Sequence, residues 1–160
     1  MSAVILVLAG CGGGSSSTES TSSLTKAEFV KKGNAICAKG EKEVEAGVEG
    51  FIKENNFSEK KPPTGAQMEA LAEEVLLPTV RKQLDEIRAL GIPSGEEQEV
   101  EAIFVAVEEG IEKTEEDPSA FAEGGSGPFV KANKLAREYG LTVCGSEEGE
   151  SAEEGGSEGE

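Results

Sequence analysis

The residues able to do chemistry here are few in kind. The chain of 160 residues has no histidine, three cysteines and 32 carboxylate side chains. Cys11 closes the stretch Leu8-Ala9-Gly10-Cys11, behind the apolar run Ala3-Val4-Ile5-Leu6-Val7-Leu8 and ahead of Gly12-Gly13-Gly14-Ser15-Ser16-Ser17. Small residues just before a cysteine make a signal-peptidase site of the lipoprotein kind. Residues 1–10 therefore read as a leader, and the Cys11 thiol as the atom that carries the lipid. The glycines and serines that follow would dissolve any helix or strand, which argues against a packed, buried thiol. The leader is shorter than the usual 15 or so residues and has no Lys or Arg before its apolar run. A bilayer crossing needs about 20 apolar residues, so the expected attachment is an anchor and not a span.

With Cys11 set aside for lipid, Cys37 and Cys144 remain as one pair. In the oxidising compartment that export implies, a disulfide is the default for two such thiols. Closing a loop of roughly 100 residues contributes about 4 to 5 kcal/mol through loss of unfolded-state entropy.

The other chemistries fail on residue type or spacing. Without histidine the usual proton shuttle and the commonest transition-metal ligand are missing. Gly124-Gly125-Ser126-Gly127-Pro128 does not make a nucleophile elbow, because Pro128 stands where glycine is needed. There is no phosphate-cradling loop, dinucleotide fingerprint or calcium loop, and no Glu-x-x-His pair of the kind that holds two metals in a bundle. Carboxylate pairs suitable for a hydrolase are so numerous that none stands out. No catalytic residue, metal or cofactor is assigned. The formal charge is −17, and an excess of acid this large argues against nucleic acid, whose phosphates are held by clustered Lys and Arg.

Charge is nevertheless uneven. One acid lies in residues 11–23 and seven lie beyond 146, leaving 24 acids against 15 bases in between, a net −9. Within that part, Lys26, Lys31, Lys32, Lys39 and Lys42 face only Glu28 and Glu41 in sequence, and Lys131, Lys134 and Arg137 face only Glu138. A bond between Cys37 and Cys144 would gather these cations at one end of the molecule. That end is a candidate patch for anionic headgroups or wall polymers, each Lys or Arg near such a surface contributing about 1 kcal/mol. The plainer reading is that these lysines solubilise two helices.

The elements that must position these residues are helices. Thr25 with Glu28 forms a capping box, and Leu24 against Phe29 a hydrophobic staple. Phe29, Ile36, Cys37, Val44, Val48, Phe51 and Ile52 then recur near helical spacing. Gly33, Gly40, Gly47 and Gly50 interrupt this helix, and close packing is the expected reason for those on the apolar side. Asn55 to Pro63 breaks the pattern. Thr64 with Gln67 opens a second helix, whose stripe runs from Met68 to Leu90 and which Pro78 should kink. Gly91 and Pro93 stop it, and Ser94 with Glu97 should cap a third helix with Val100, Ile103, Phe104, Val107 and Ile111 inside. A short helical turn through Phe121 precedes a last helix opened by Pro128, with Phe129, Val130, Ala132, Asn133, Ala136 and Tyr139 on its buried side and Gly140 as cap. The class is all-α: a four-helix up-down bundle over residues 24–146 with one disulfide. It follows a lipidated Cys and flexible linker at 11–23 and precedes an acidic tail at 147–160, too polar to fold.

Lys26-Ala27-Glu28-Phe29, Ala35-Ile36-Cys37, Gly91-Ile92-Pro93-Ser94-Gly95 and Ala136 to Gly145 together resemble the small all-helical lipoproteins and secreted proteins of high-GC Gram-positive bacteria. The resemblance implies export, a disulfide and an α-helical domain, and brings no activity with it. The expected function is a helical binding or structural module on the outer face of the cell membrane. The alternative is a small cell-envelope enzyme using carboxylates, which a deep cleft with two convergent Asp or Glu among aromatics would favour.

Overall fold

Thr25 sets where the first helix begins. The Glu28 N–H donates to Thr25 Oγ1 (3.3 Å), and the Thr25 N–H donates to the Glu28 carboxylate (2.9 Å). In the computed structural model, which describes residues 24–58, 60–122 and 127–146, helix α1 spans Lys26–Asn55 and ends at Asn56 in the left-handed conformation. The expected leader, Cys11, the expected linker and the acidic segment at 147–160 lie outside the described residues.

The second apolar stripe is one continuous helical run in three pieces: α2 (Gly65–Leu71), a single π turn (Ala72–Leu76) and α3 (Leu77–Arg88). The π turn is how the helix takes in Pro78. Proline brings no N–H and crowds the carbonyl four residues back, and the chain relieves this by widening the preceding turn, where the Leu77 N–H donates to Ala72 O. Thr79 Oγ1 donates to Val75 O (2.9 Å), a carbonyl of that turn.

Helix α4 (Glu97–Glu116) starts later than a Ser94 cap would place it. Gly95 takes φ +87°, so Pro93 to Glu96 forms a closed turn, with Glu96 N–H on Pro93 O, and Glu96 stands at the cap. The Glu97 carboxylate accepts from its own N–H and that of Gly95, which lowers its pKa. After the short α5 (Ser119–Ala122), Pro128 sits inside a 3-10 turn, Gly127–Phe129, and α6 begins at Val130 and ends at Tyr139 with Gly140 in the left-handed region.

Pairings across the helices show the up-down order. Between α1 and α3, Lys39 meets Glu86 (3.5 Å) and Glu43 meets Lys82 (2.7 Å). Between α3 and α4, Arg88 meets Glu108 (2.8 Å) and Arg81 meets Glu115. Between α4 and α6, Glu109 meets Lys131 (2.8 Å). In the first two helix pairs the residue numbers fall along one helix as they rise along the other, and in the third a late residue of α4 meets an early one of α6. The four-helix bundle so formed buries Phe29, Leu84, Ile87, Val100, Ile103, Phe104, Ala136, Tyr139 and Leu141. Gly33, Gly40 and Gly47 of α1 lie where a Cβ would strike Leu141, Gln83 and Val75 in turn, so close packing does explain them. Gly50 has nothing nearby.

Two expected core residues are outside. Ile52 is 43% exposed on the last turn of α1, where it is Phe51 that turns inward, against Phe57. Val130 is 56% exposed, because the 3-10 turn sends Phe129 inward instead, against Gly110.

Candidate functional site

Cys37 and Cys144 are bonded, as their pairing in sequence leads one to expect. Cys37 and Cys144 have Cα atoms 5.1 Å apart across a sequence separation of 107. The bond pins a strip, residues 141–146, that runs beside α1 in the same direction. Leu141 lies on Gly33, the Val143 N–H donates to Asn34 Oδ1 (3.0 Å), Cys144 joins Cys37, and Ser146 Oγ donates to the Glu41 carboxylate (2.9 Å). Asn34 Nδ2 also donates to Gly140 O (3.2 Å). Asn34 is thus a second clasp on the strip, and its sequence context marks it only as one polar residue among several on α1.

Behind this strip the bundle centre is not full. A recess of about 170 Å³ is walled by Leu84 and Ile87 of α3, Ile103 and Phe104 of α4, Phe129 and Ala136 near and on α6, and the disulfide. Its half-exposed wall residues, which include Leu76, Val80, Gln83, Val107, Asn133 and Ser146, mark where it reaches the surface. The Gln83 amide is fixed, donating to Cys37 O (3.2 Å), whereas the Asn133 amide makes no hydrogen bond among the described residues. Among the described residues no Asp, Glu, Lys or Arg lines the recess. The recess escapes sequence reasoning because it is space left between four elements. Its only trace is a pair of small residues, Ala132 and Ala136, on a buried helix face.

Leu76, Val80, Gln83, Cys144 and Ser146 also line a neighbouring groove of about 740 Å³, walled on its other side by α1 through Glu41, Val44, Glu45, Val48 and Glu49.

The basic residues are gathered less simply than their sequence positions suggest. Lys26 bridges Glu96 (2.8 Å) and lies over the Tyr139 ring (4.2 Å). Lys39 pairs with Glu43 and Glu86, Lys131 with Glu109, and Lys134 with Glu138. The Arg137 guanidinium donates to Gly145 O. Lys31, Lys32 and Lys42 have no ion-pair partner among the described residues and lie exposed on α1. Tyr139 is the most perturbed group nearby: burial first, and then the Glu96 and Glu99 carboxylates, push its phenol up to about 12. Its hydroxyl is buried without a well-formed hydrogen bond, Glu96 lying close enough to favour the phenol without completing one.

Among the described residues no three His, Cys, Asp or Glu side chains converge as a metal site, and no helix is long and apolar enough to cross a membrane. No protein-family model matches the chain, and neither does any curated protein or solved structure.

Proposed function

We propose that the protein is an extracytoplasmic helical module, anchored through lipid on Cys11 to the outer face of the cell membrane, that works by holding a ligand and not by chemical turnover. The carrying observation is the character of the recess: the concave site at the bundle centre is walled mainly by aliphatic and aromatic side chains and a disulfide, with Gln83, Asn133 and Ser146 as its polar residues and, among the described residues, no titratable group able to move a proton. A carboxylate enzyme would need two acids converging there; among the described residues none lines the recess, and Glu41, Glu45 and Glu49 of the groove beside it stand in a row along α1.

The tether rests on separate support. Leu8-Ala9-Gly10-Cys11 supplies the processing pattern, and the bonded Cys37 and Cys144 suit a protein that matures in an oxidising compartment. A linker of about a dozen residues would hold the bundle roughly 20 Å from the anchor. Lys31, Lys32 and Lys42 are the cations left to face anionic headgroups or wall polymers.

Membrane fractionation with intact-protein mass tests this reading. The wild type should sit in the membrane fraction with a diacylated mass starting at Cys11, and Cys11→Ser should leave the membrane or remain unprocessed. Unmodified wild type recovered from the medium with Met1 in place would overturn the tether.

A further inference from the structure

We propose that the recess and the groove beside it form one site for a cationic amphiphile: a single alkyl chain enters the bundle centre, and its ammonium head rests against α1. This deepens the reading of the protein as a ligand-holding module and rests on it.

The chain part follows from the recess. An apolar cavity of about 150 Å³ stays dry and takes a benzene-sized hydrocarbon. A recess of about 170 Å³ walled by Leu84, Ile87, Ile103, Phe104 and Phe129 therefore suits a run of about six carbons. Leu76 and Val80 line both spaces, so a chain longer than the recess continues over apolar surface into the groove.

The head follows from what lines the groove. Among the described residues its only charged ones are Glu41, Glu45 and Glu49, and no Lys or Arg lines it. These carboxylates stand at successive i, i+4 positions on α1, about 6 Å apart along the axis. Like charges so spaced destabilise a helix, and a cation between them relieves the repulsion. Glu49 has Lys53 beside it (3.5 Å), and Glu41 accepts the Ser146 hydroxyl, but Glu45 has no partner among the described residues. An anionic head of the same chain length would meet this row with the wrong sign.

The test is calorimetric titration of the full chain carrying Cys11→Ser, disulfide intact, with hexyl-, octyl- and decylammonium and with the matching alkyl sulfates, all below their micelle concentrations. Alkylammonium affinity should rise about fourfold per methylene while the added carbons are buried, and the sulfates should bind far more weakly. Ala136→Leu, which fills the recess, should abolish the chain-length dependence. Exposed Glu45→Gln should weaken the alkylammonium by about two- to fivefold and flatten its salt dependence. Helical circular dichroism checks each variant, and Ala132→Leu replaces Ala136→Leu should the latter not fold. Equal binding of sulfates and ammonium ions would overturn the cationic head, binding indifferent to a filled recess would overturn the chain site, and no binding of either series would overturn both. None of these outcomes touches the lipid tether, which membrane fractionation decides.

Discussion

Replacing Cys37 and Cys144 together by alanine should cost the domain about 3 to 5 kcal/mol. The two residues are 107 apart in sequence, and loop closure over that length removes about 16 cal/mol/K from the unfolded chain, about 4.8 kcal/mol at 25 °C. The native side changes little, because the strip remains docked by Leu141 in the core and by the two-way Asn34 clasp. Loss therefore comes through a looser unfolded state, and a second signature follows: the denaturant m-value should rise as the midpoint falls, since an unbridged chain exposes more surface on unfolding. In heat the midpoint should drop by roughly 12 to 20 °C, at about 4 °C per kcal/mol for a domain of this size. Guanidinium and thermal unfolding followed by helical circular dichroism read both numbers. A loss below about 1 kcal/mol with an unchanged m-value would refute the reasoning, because the bond would then constrain nothing that the other contacts leave loose.

Other expectations follow from single residues. Tyr139 is the only tyrosine, and tryptophan is absent, so ultraviolet absorbance should show one phenolate appearing near pH 12 in the folded protein and near 10.0 in denaturant. Because the folded value is raised, its contribution to stability is full below pH 10 and is lost as pH rises towards 12; a folded-state midpoint at 10 would contradict the burial described. Gly50→Ala, with open space around it, should stabilise by up to about 1 kcal/mol, whereas a Cβ at Gly110 would lie 2.5 Å from the Phe129 ring and should destabilise by about 1 to 2 kcal/mol. The opposite order in urea titrations would contradict the packing. Glu28, Glu43, Glu97 and Glu109 all have pKa values lowered by hydrogen bonds, from Thr25, Lys82, backbone N–H groups and Lys131 respectively. Their contribution is full above the ordinary 4.5 and is lost as the pH falls through the lowered folded values, so unfolding midpoints should decline on acidification, and a midpoint unmoved down to pH 2 would contradict it.

Local signals in this chain carried a long way. The Thr25 and Glu28 capping box, the left-handed Gly91 and Gly140, the helical class and the Cys37 to Cys144 bond each depend on a few neighbouring residues or on a count of thiols. Where tertiary packing decides, local rules fell short. Ser94 was a plausible cap until Gly95 closed a turn around it, and Pro78 called for a kink that the chain supplied as a π turn. Ile52 has the right spacing but stays exposed while its neighbour Phe51 is buried. The site lay further still from the sequence: its walls come from α1, α3, α4, α6 and the terminal strip, and its volume is what those residues leave unfilled. Glu45 looked like any other acid on a solvated face until the groove placed it beside an apolar opening.

The account turns on a dry, enterable space at the bundle centre. Crystals of the oxidised protein pressurised with xenon test that most directly, since xenon occupies apolar cavities of this size. The expected result is a xenon atom in van der Waals contact with Leu84, Ile103, Phe104 and Ala136, and its loss in Ala136→Leu. A centre that takes up no xenon, with Phe104 and Phe129 packed across the space, would contradict it.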